Sequence, residues 1–257
     1  PMGEIRAACL FELLELPYTG SSPYTLAVAL NKARAKEIFS FYKIPTPKFL
    51  VVKRPSEIKE TGDLSFPLIV KPIAEDGSIG IDERSLAGNF GELQSALIRL
   101  HENFHSGALV EEFIDGREFH VSIWGNKKPE VLPISEVDFS GLSKDHPRIL
   151  TYDSKWREHC EVYRGTPIIC PAEINPVLEE RIKDLVFQVY RVFECRDYAR
   201  IDFRVDGKGR LHVLEVNPNP DISDDSGFRK SARAAGFGFK EIIGKIIDSA
   251  AERGEPR

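Results

Sequence analysis

DYARIDFRVDGKGRLHVLEVNPNPDIS, residues 197–223, decides the reading of this chain. Arg200, Asp202 and Arg204 alternate with Ile201, Phe203 and Val205, the period of a strand with one polar and one buried face. A second strand follows the DGKG turn and carries Glu215 and Asn217 out of an apolar run just before Pro218. An even loop over Asp206–Gly209 places Arg200 and Asp202 on the same face as Glu215 and Asn217. An odd loop sets Asp202 against Leu214 and mixes charge into the apolar face, so the even loop is expected. Asp202, Glu215 and Asn217 then converge as hard oxygen donors of the kind Mg²⁺ takes together with substrate phosphates. The plainer alternative is a solvated sheet face on which Arg200 and Glu215 pair.

Other stretches carry complementary chemistry. Lys71 closes the apolar strand FPLIVKPI just ahead of AEDGSIGID (74–82), a Gly-bearing loop whose backbone N–H groups suit phosphate oxygens. VEEFIDGREF (110–119) brings Glu111, Glu112 and Glu118 around a short turn, where a carboxylate accepts from an amino group or a ribose hydroxyl. Read singly, an ordinary loop and a plain acidic surface turn are the favoured readings of these two segments.

The remainder reads as α+β, helices with mainly antiparallel strands, in two subdomains that split near residue 110. Helices are expected over EIRAACLFELLEL, 25–43, 88–105 and 175–194, the last with Asn175 as N-cap and Pro176 at its first position. PSEIKETG reads as a short helix, and REFHVSIWGN and PEVLPISEVDF as strands. Residues 140–171 read as a long irregular segment, functional or disordered. The 257 residues are 42% apolar and 29% charged, and no run is long enough to span a membrane. A net charge of −5 gives no general attraction to nucleic acid. Four cysteines without metal-type spacing read as reduced thiols of a cytoplasmic protein. The opening Pro1-Met2-Gly3 reads as a junction, which makes a fragment of a longer protein the expectation.

In order, VKPIAEDGSIGI, VEEFIDGREFHV, DYARIDFRV and HVLEVNPNPDIS resemble the ATP-grasp superfamily, and within it the D-alanine–D-alanine ligase family. ELPYTGSSPYTLAVALNKARAKEIFSFYKIPTP is similar to the same ligases, whereas the Walker P-loop and dinucleotide GxGxxG are missing. The resemblance implies two α/β subdomains gripping ATP: residues 26–110 central, 111–257 C-terminal, and 1–25 the remnant of a largely missing N-terminal domain. It implies that Lys32 and Lys71 contact the phosphates, Glu111 accepts from the adenine amino group, Phe113 and Ile114 meet the ring, and Glu118 holds the ribose. Gly77, Ser78 and Gly80 would form the loop over the phosphates. Asp202, Glu215 and Asn217 would hold two Mg²⁺ ions, with Mn²⁺ able to substitute, while Arg200 and Lys155 steady the transferring phosphoryl group. The implied reaction joins a carboxylate to an amine through an acyl phosphate. Its partners are small amino-acid substrates, and the family's frequent dimerisation implies a homodimer.

Around the substrate the pattern differs from that of the ligases. Gly77 stands where a serine is expected, Asp221 where a glycine N–H faces the reacting carbonyl, and Trp156 of YDSKW (152–156), a stretch similar to the family's mobile lid, where that lid has Tyr. Ser226 matches the serine that holds the second substrate's carboxylate. Two alternatives stay open at this point: a related ligase for another amino acid or small peptide, and an ATP-binding fragment without turnover.

Overall fold

A computed structural model describes residues 2–254; Pro1, on which part of the junction reading falls, and residues 255–257 lie outside it. Helices α1 (Met2–Leu13), α2 (Pro23–Leu30) and α3 (Lys32–Phe41) open the chain. Strands β1 (Phe49–Val52), β2 (Leu68–Pro72) and β3 (Leu86–Ala87), helix α4 (Phe90–Phe104) and strand β4 (Ala108–Glu112) follow. They form a four-stranded antiparallel sheet of order β1-β4-β2-β3. Leu93, Ala96, Leu97 and Leu100 recur at helical spacing along α4 and bury against Val52, Leu68, Val70, Ala108 and Val110.

The second sheet contains β5 (Gly116–Trp124), β6 (Glu130–Val131), β7 (Ser135–Val137), β8 (Ile168–Ile169), β9 (Tyr198–Asp206) and β10 (Leu211–Asn217). Its order is β10-β9-β5-β7-β8, with β6 added on β5, and every pairing is antiparallel. The architecture is therefore α+β, as expected. Helix α7 (Pro176–Val192) covers one face of this sheet through Ile182, Val186 and Val189, against Phe119, Val121, Ile201 and Phe203. Asn175 caps it by accepting from Leu178 N–H, and Pro176 fits the first turn, where no N–H is needed. Helices α8 (Gly227–Ala234) and α9 (Phe239–Ala251) pack Phe228, Ile242 and Ile246 around Trp124 and Tyr198.

Three local features differ from the sequence expectation. The single helix over 25–43 is two helices, because Asn31 leaves helical geometry and caps α3 by accepting from Arg34 N–H. That break sets Lys32 at the start of α3, with its own N–H donated to Ile73 O. By packing, Ala29, Ala35 and Phe39 of these helices lie in the core of the six-stranded sheet, although residues 26–110 were expected to form one subdomain. PSEIKETG is reduced to one 3₁₀ turn, Pro55–Glu57. The irregular segment 140–171 holds two short helices, α5 (Tyr152–Trp156) and α6 (Glu161–Arg164), besides β8.

The hairpin reaches its expected result by another route. Val205 pairs with Leu211, which leaves residues 206–210 between them, an odd loop. The register holds to Phe203–Val213 and then shifts, so that Asp202 pairs with Glu215 and Arg200 with Asn217. Leu214 is the extra residue of a β-bulge, and it corrects the parity that the loop sets wrongly. Among the described residues no helix is long and apolar enough to cross a membrane. Truncating fully buried Phe203 to Ala should cost about 3–5 kcal/mol in urea denaturation; a loss below about 1 kcal/mol would contradict its place at the centre of this core.

Candidate nucleotide and metal site

The cleft between the sheets follows from where strand ends and loops bring charge. Its open space, solvent at the mouth included, is about 720 Å³, and Lys32, Lys71, Ser78, Glu111, Glu118 and Glu215 are among its walls. Phe113, Ile114, Lys155 and Asp202 also line it. Arg200, Asn217, Gly77, Gly80, Trp156, Asp221 and Ser226 lie outside this lining.

Glu111 on β4 is 1% exposed, and its two oxygens face two lysines. Oε1 pairs with Lys71, and Oε2 stands 2.9 Å from Lys36 Nζ. Burial alone would raise this carboxyl; the two ammonium groups outweigh it and hold the pKa at about 2. Glu118 behaves alike: burial opposes ionisation, and Arg204, donating from Nε at 2.9 Å and from its second guanidinium nitrogen at 2.7 Å, brings it to about 2. Arg204 also donates to Ile114 O, so it ties the acidic turn to β9. Glu215 faces Lys32 at 3.4 Å; burial is again outweighed, here by Lys32, Lys155 and Arg200, so its carboxyl lies far below the usual range.

Asp202 is gripped at both oxygens by Arg200, at 2.8 and 2.9 Å. The pairing of Arg200 with Glu215 considered from the sequence is thus replaced by Arg200 with Asp202. Asp202 and Glu215 are cross-strand neighbours, with Asn217 two residues further along the same face. Asp202 and Glu215 are hard oxygen donors of the type a divalent cation takes, while Asn217 lies outside the lining with its Oδ1 accepting from Asn219 N–H. Among the described residues no group of three or more acidic, His or Cys side chains gathers as a metal cluster.

The Gly-bearing loop directly meets α5 and the residues just before it. Ser78 Oγ donates to Leu150 O at 2.9 Å, Tyr152 N–H to Ile81 O at 3.0 Å, and Trp156 Nε1 to Gly77 O at 2.8 Å. Gly80 has φ +79°, and a Cβ there would lie 2.7 Å from the Phe104 ring, so only glycine fits. Trp156 therefore rests on the loop rather than lining the cleft. Asp221 spends both oxygens on Ser223, and Ser226 Oγ caps α8 by accepting from Arg229 N–H.

Residues 38–248 match the family described as D-ala D-ala ligase C-terminus. The chain belongs to that family. Among similar proteins, an uncharacterized protein, y4sG, of Sinorhizobium fredii is 36% identical over 254 residues, which cover 98% of this chain and 72% of that one. The D-alanine–D-alanine ligase of Alcanivorax borkumensis is 33% identical, over 95% of this chain and 72% of its own length. Of solved structures, the D-alanine–D-alanine ligase from Bacillus anthracis complexed with ATP aligns with a TM-score of 0.77 at 26% identity, covering 96% of this chain and 74% of that one.

Several wall residues of this D-ala D-ala ligase family member escaped the sequence reading. Leu214 lines the cleft because the bulge turns it there, and the three-residue step from buried Val213 to buried Val216 was the available signal. Ile69, Ile149 and Leu150 add apolar wall, without a signal separable from ordinary core. Lys36 looked like any helical surface lysine.

The carboxylates dictate an acid limb. Glu111 and Glu118 hold fewer protons when folded than when unfolded, so their contribution is complete above pH about 4.5 and falls away toward about 2. Burial, against the pull of Glu111, lowers Lys36 from 10.5 to about 8, so this group adds stability as pH climbs from about 8 to 10.5. Denaturation midpoints should drop steadily as pH falls below about 4.5; a midpoint unchanged between pH 5 and pH 3 (roughly half of that window) would contradict these pairings.

Proposed function

We propose that this chain is an ATP-dependent carboxylate–amine ligase of the D-alanine–D-alanine type. The observation that carries the reading is the joint convergence of Lys32, Lys71, Glu111, Asp202 and Glu215 on one cleft, in a chain of this family. ATP occupies the cleft. The Glu111 carboxylate accepts from the adenine amino group, Leu214, Phe113 and Ile114 flank the ring, and Glu118, kept ionised by Arg204, accepts from ribose hydroxyls. Lys32, Lys71 and the loop of Gly77, Ser78 and Gly80 neutralise the phosphates. Asp202, Glu215 and Asn217 would hold Mg²⁺, which supplies charge neutralisation at the β- and γ-phosphate oxygens.

The chain's own task is to position and to exclude water. Arg200, braced by Asp202, and Lys155 from α5 present positive charge to the transferring phosphoryl group. The carboxylate of a first amino acid takes that group to give an acyl phosphate and ADP. The amine of a second then attacks the acyl carbon, loses a proton and expels inorganic phosphate. An acyl phosphate hydrolyses if water reaches it, which gives the lid contacts at Gly77, Ser78 and Ile81 their purpose. D-Alanine is the substrate proposed for both positions, with Ser226 at the head of α8 receiving the second carboxylate.

Glu215→Gln removes a charge from the metal face while keeping its size. ADP release with D-alanine should fall roughly 100-fold or more with an unchanged circular-dichroism spectrum; turnover near the wild-type rate would refute the assignment.

A further inference from the structure

Lys36 is a buried cation that the proposed chemistry leaves unused. It lies on α3, is 1% exposed, and has its Nζ 2.6 Å from Thr46 Oγ1, 3.2 Å from Val213 O and 2.9 Å from Glu111 Oε2. One contact reaches the four-stranded sheet, and another reaches β10 at the residue preceding the Leu214 bulge. A buried ammonium is costly unless its partners are engaged, and here three oxygens surround it.

Its partner decides what that placement does. Glu111 lines the cleft, Lys71 pairs with Oε1, and the buried Oε2 faces Lys36, so the carboxylate, with about four lone-pair sites, keeps acceptor capacity toward the cleft. An ionised carboxylate only accepts, whereas a protonated one also donates. A 6-aminopurine offers a donor at that edge; a 6-oxopurine offers an acceptor and is repelled. We infer that Lys36 is a positioning residue for nucleotide specificity: it fixes Glu111 as an ionised acceptor at the cleft and so sets the preference for 6-amino over 6-oxopurine nucleotides. The inference rests on the proposed ATP site and adds to it the residue that makes Glu111 selective. Lys36 leaving Glu111 with a single counter-charge would favour the protonated, donor-capable form.

Titration calorimetry with Mg·ATP and Mg·ITP, without any amino acid, tests this on the full chain. Wild type should bind ATP at least about tenfold more tightly than ITP, Lys36→Met should narrow that ratio to below about threefold, and Lys36→Arg should restore it. Equal weakening toward both nucleotides, with the ratio kept, would mark Lys36 as merely structural and overturn the inference. Should Lys36→Met fail to fold, Lys36→Gln removes the charge, leaves Glu111 in place, keeps an N–H donor for Thr46 Oγ1 and Val213 O, and should fold. In it a retained tenfold preference for ATP (about 1.4 kcal/mol) overturns the inference, and its loss supports it. Wild type binding neither nucleotide would instead refute the ATP site itself, whereas equal binding of both refutes only the role of Lys36.

Discussion

A buried carboxylate with two buried or half-buried ammonium groups ties the sheets together. Glu111 and Lys71 belong to the four-stranded sheet, while Lys36 comes from a helix packed in the other core and also reaches Val213. Such a group is of little net value as an ion pair, because desolvation consumes most of the attraction, yet removing one member costs about 3–5 kcal/mol. Its consequence is therefore geometric. The cleft walls are held at one separation, and the strand that carries Glu215 is anchored one residue before its bulge. Pro45 O, accepting from Val213 N–H, and Thr46, donating to Val213 O, reinforce the same point.

The bulge is the second constraint. A regular continuation from Val213 would set Leu214 opposite Asp202 and turn Glu215 toward Ile201 and the core. One unpaired residue instead lets Val213 and Val216 stay buried while Leu214 and Glu215 both reach the cleft. An apolar wall and a carboxylate thus arise from adjacent positions, as a site that must hold both a base and a charged phosphate chain requires.

Much of this was legible in the sequence. Alternation in YARIDFRV placed Arg200 and Asp202 on one face because strand periodicity leaves no other arrangement, and Asn175-Pro176 marked a helix start by capping chemistry alone. What was hidden depended on long-range contact. Asn31 breaks a pattern that is helical on both sides, since its side chain offers Arg34 N–H a local acceptor. The partner of Arg200 could not be chosen between Asp202 and Glu215, two carboxylates on the same face, from strand periodicity alone. Lys36 carries no mark of burial, because only the fold brings Glu111 and Val213 to it. Trp156 was expected at the substrate, but its indole N–H finds the exposed carbonyl of Gly77, where the absence of a side chain leaves room for the ring.

The central claim is that this cleft moves a phosphoryl group onto an amino-acid carboxylate. It is tested most directly with Mg·ATP and D-alanine bearing ¹⁸O in its carboxyl group, followed by mass analysis of the released phosphate. Passage through an acyl phosphate predicts one ¹⁸O carried into inorganic phosphate for each ligation. Unlabelled phosphate released together with ADP would contradict the account.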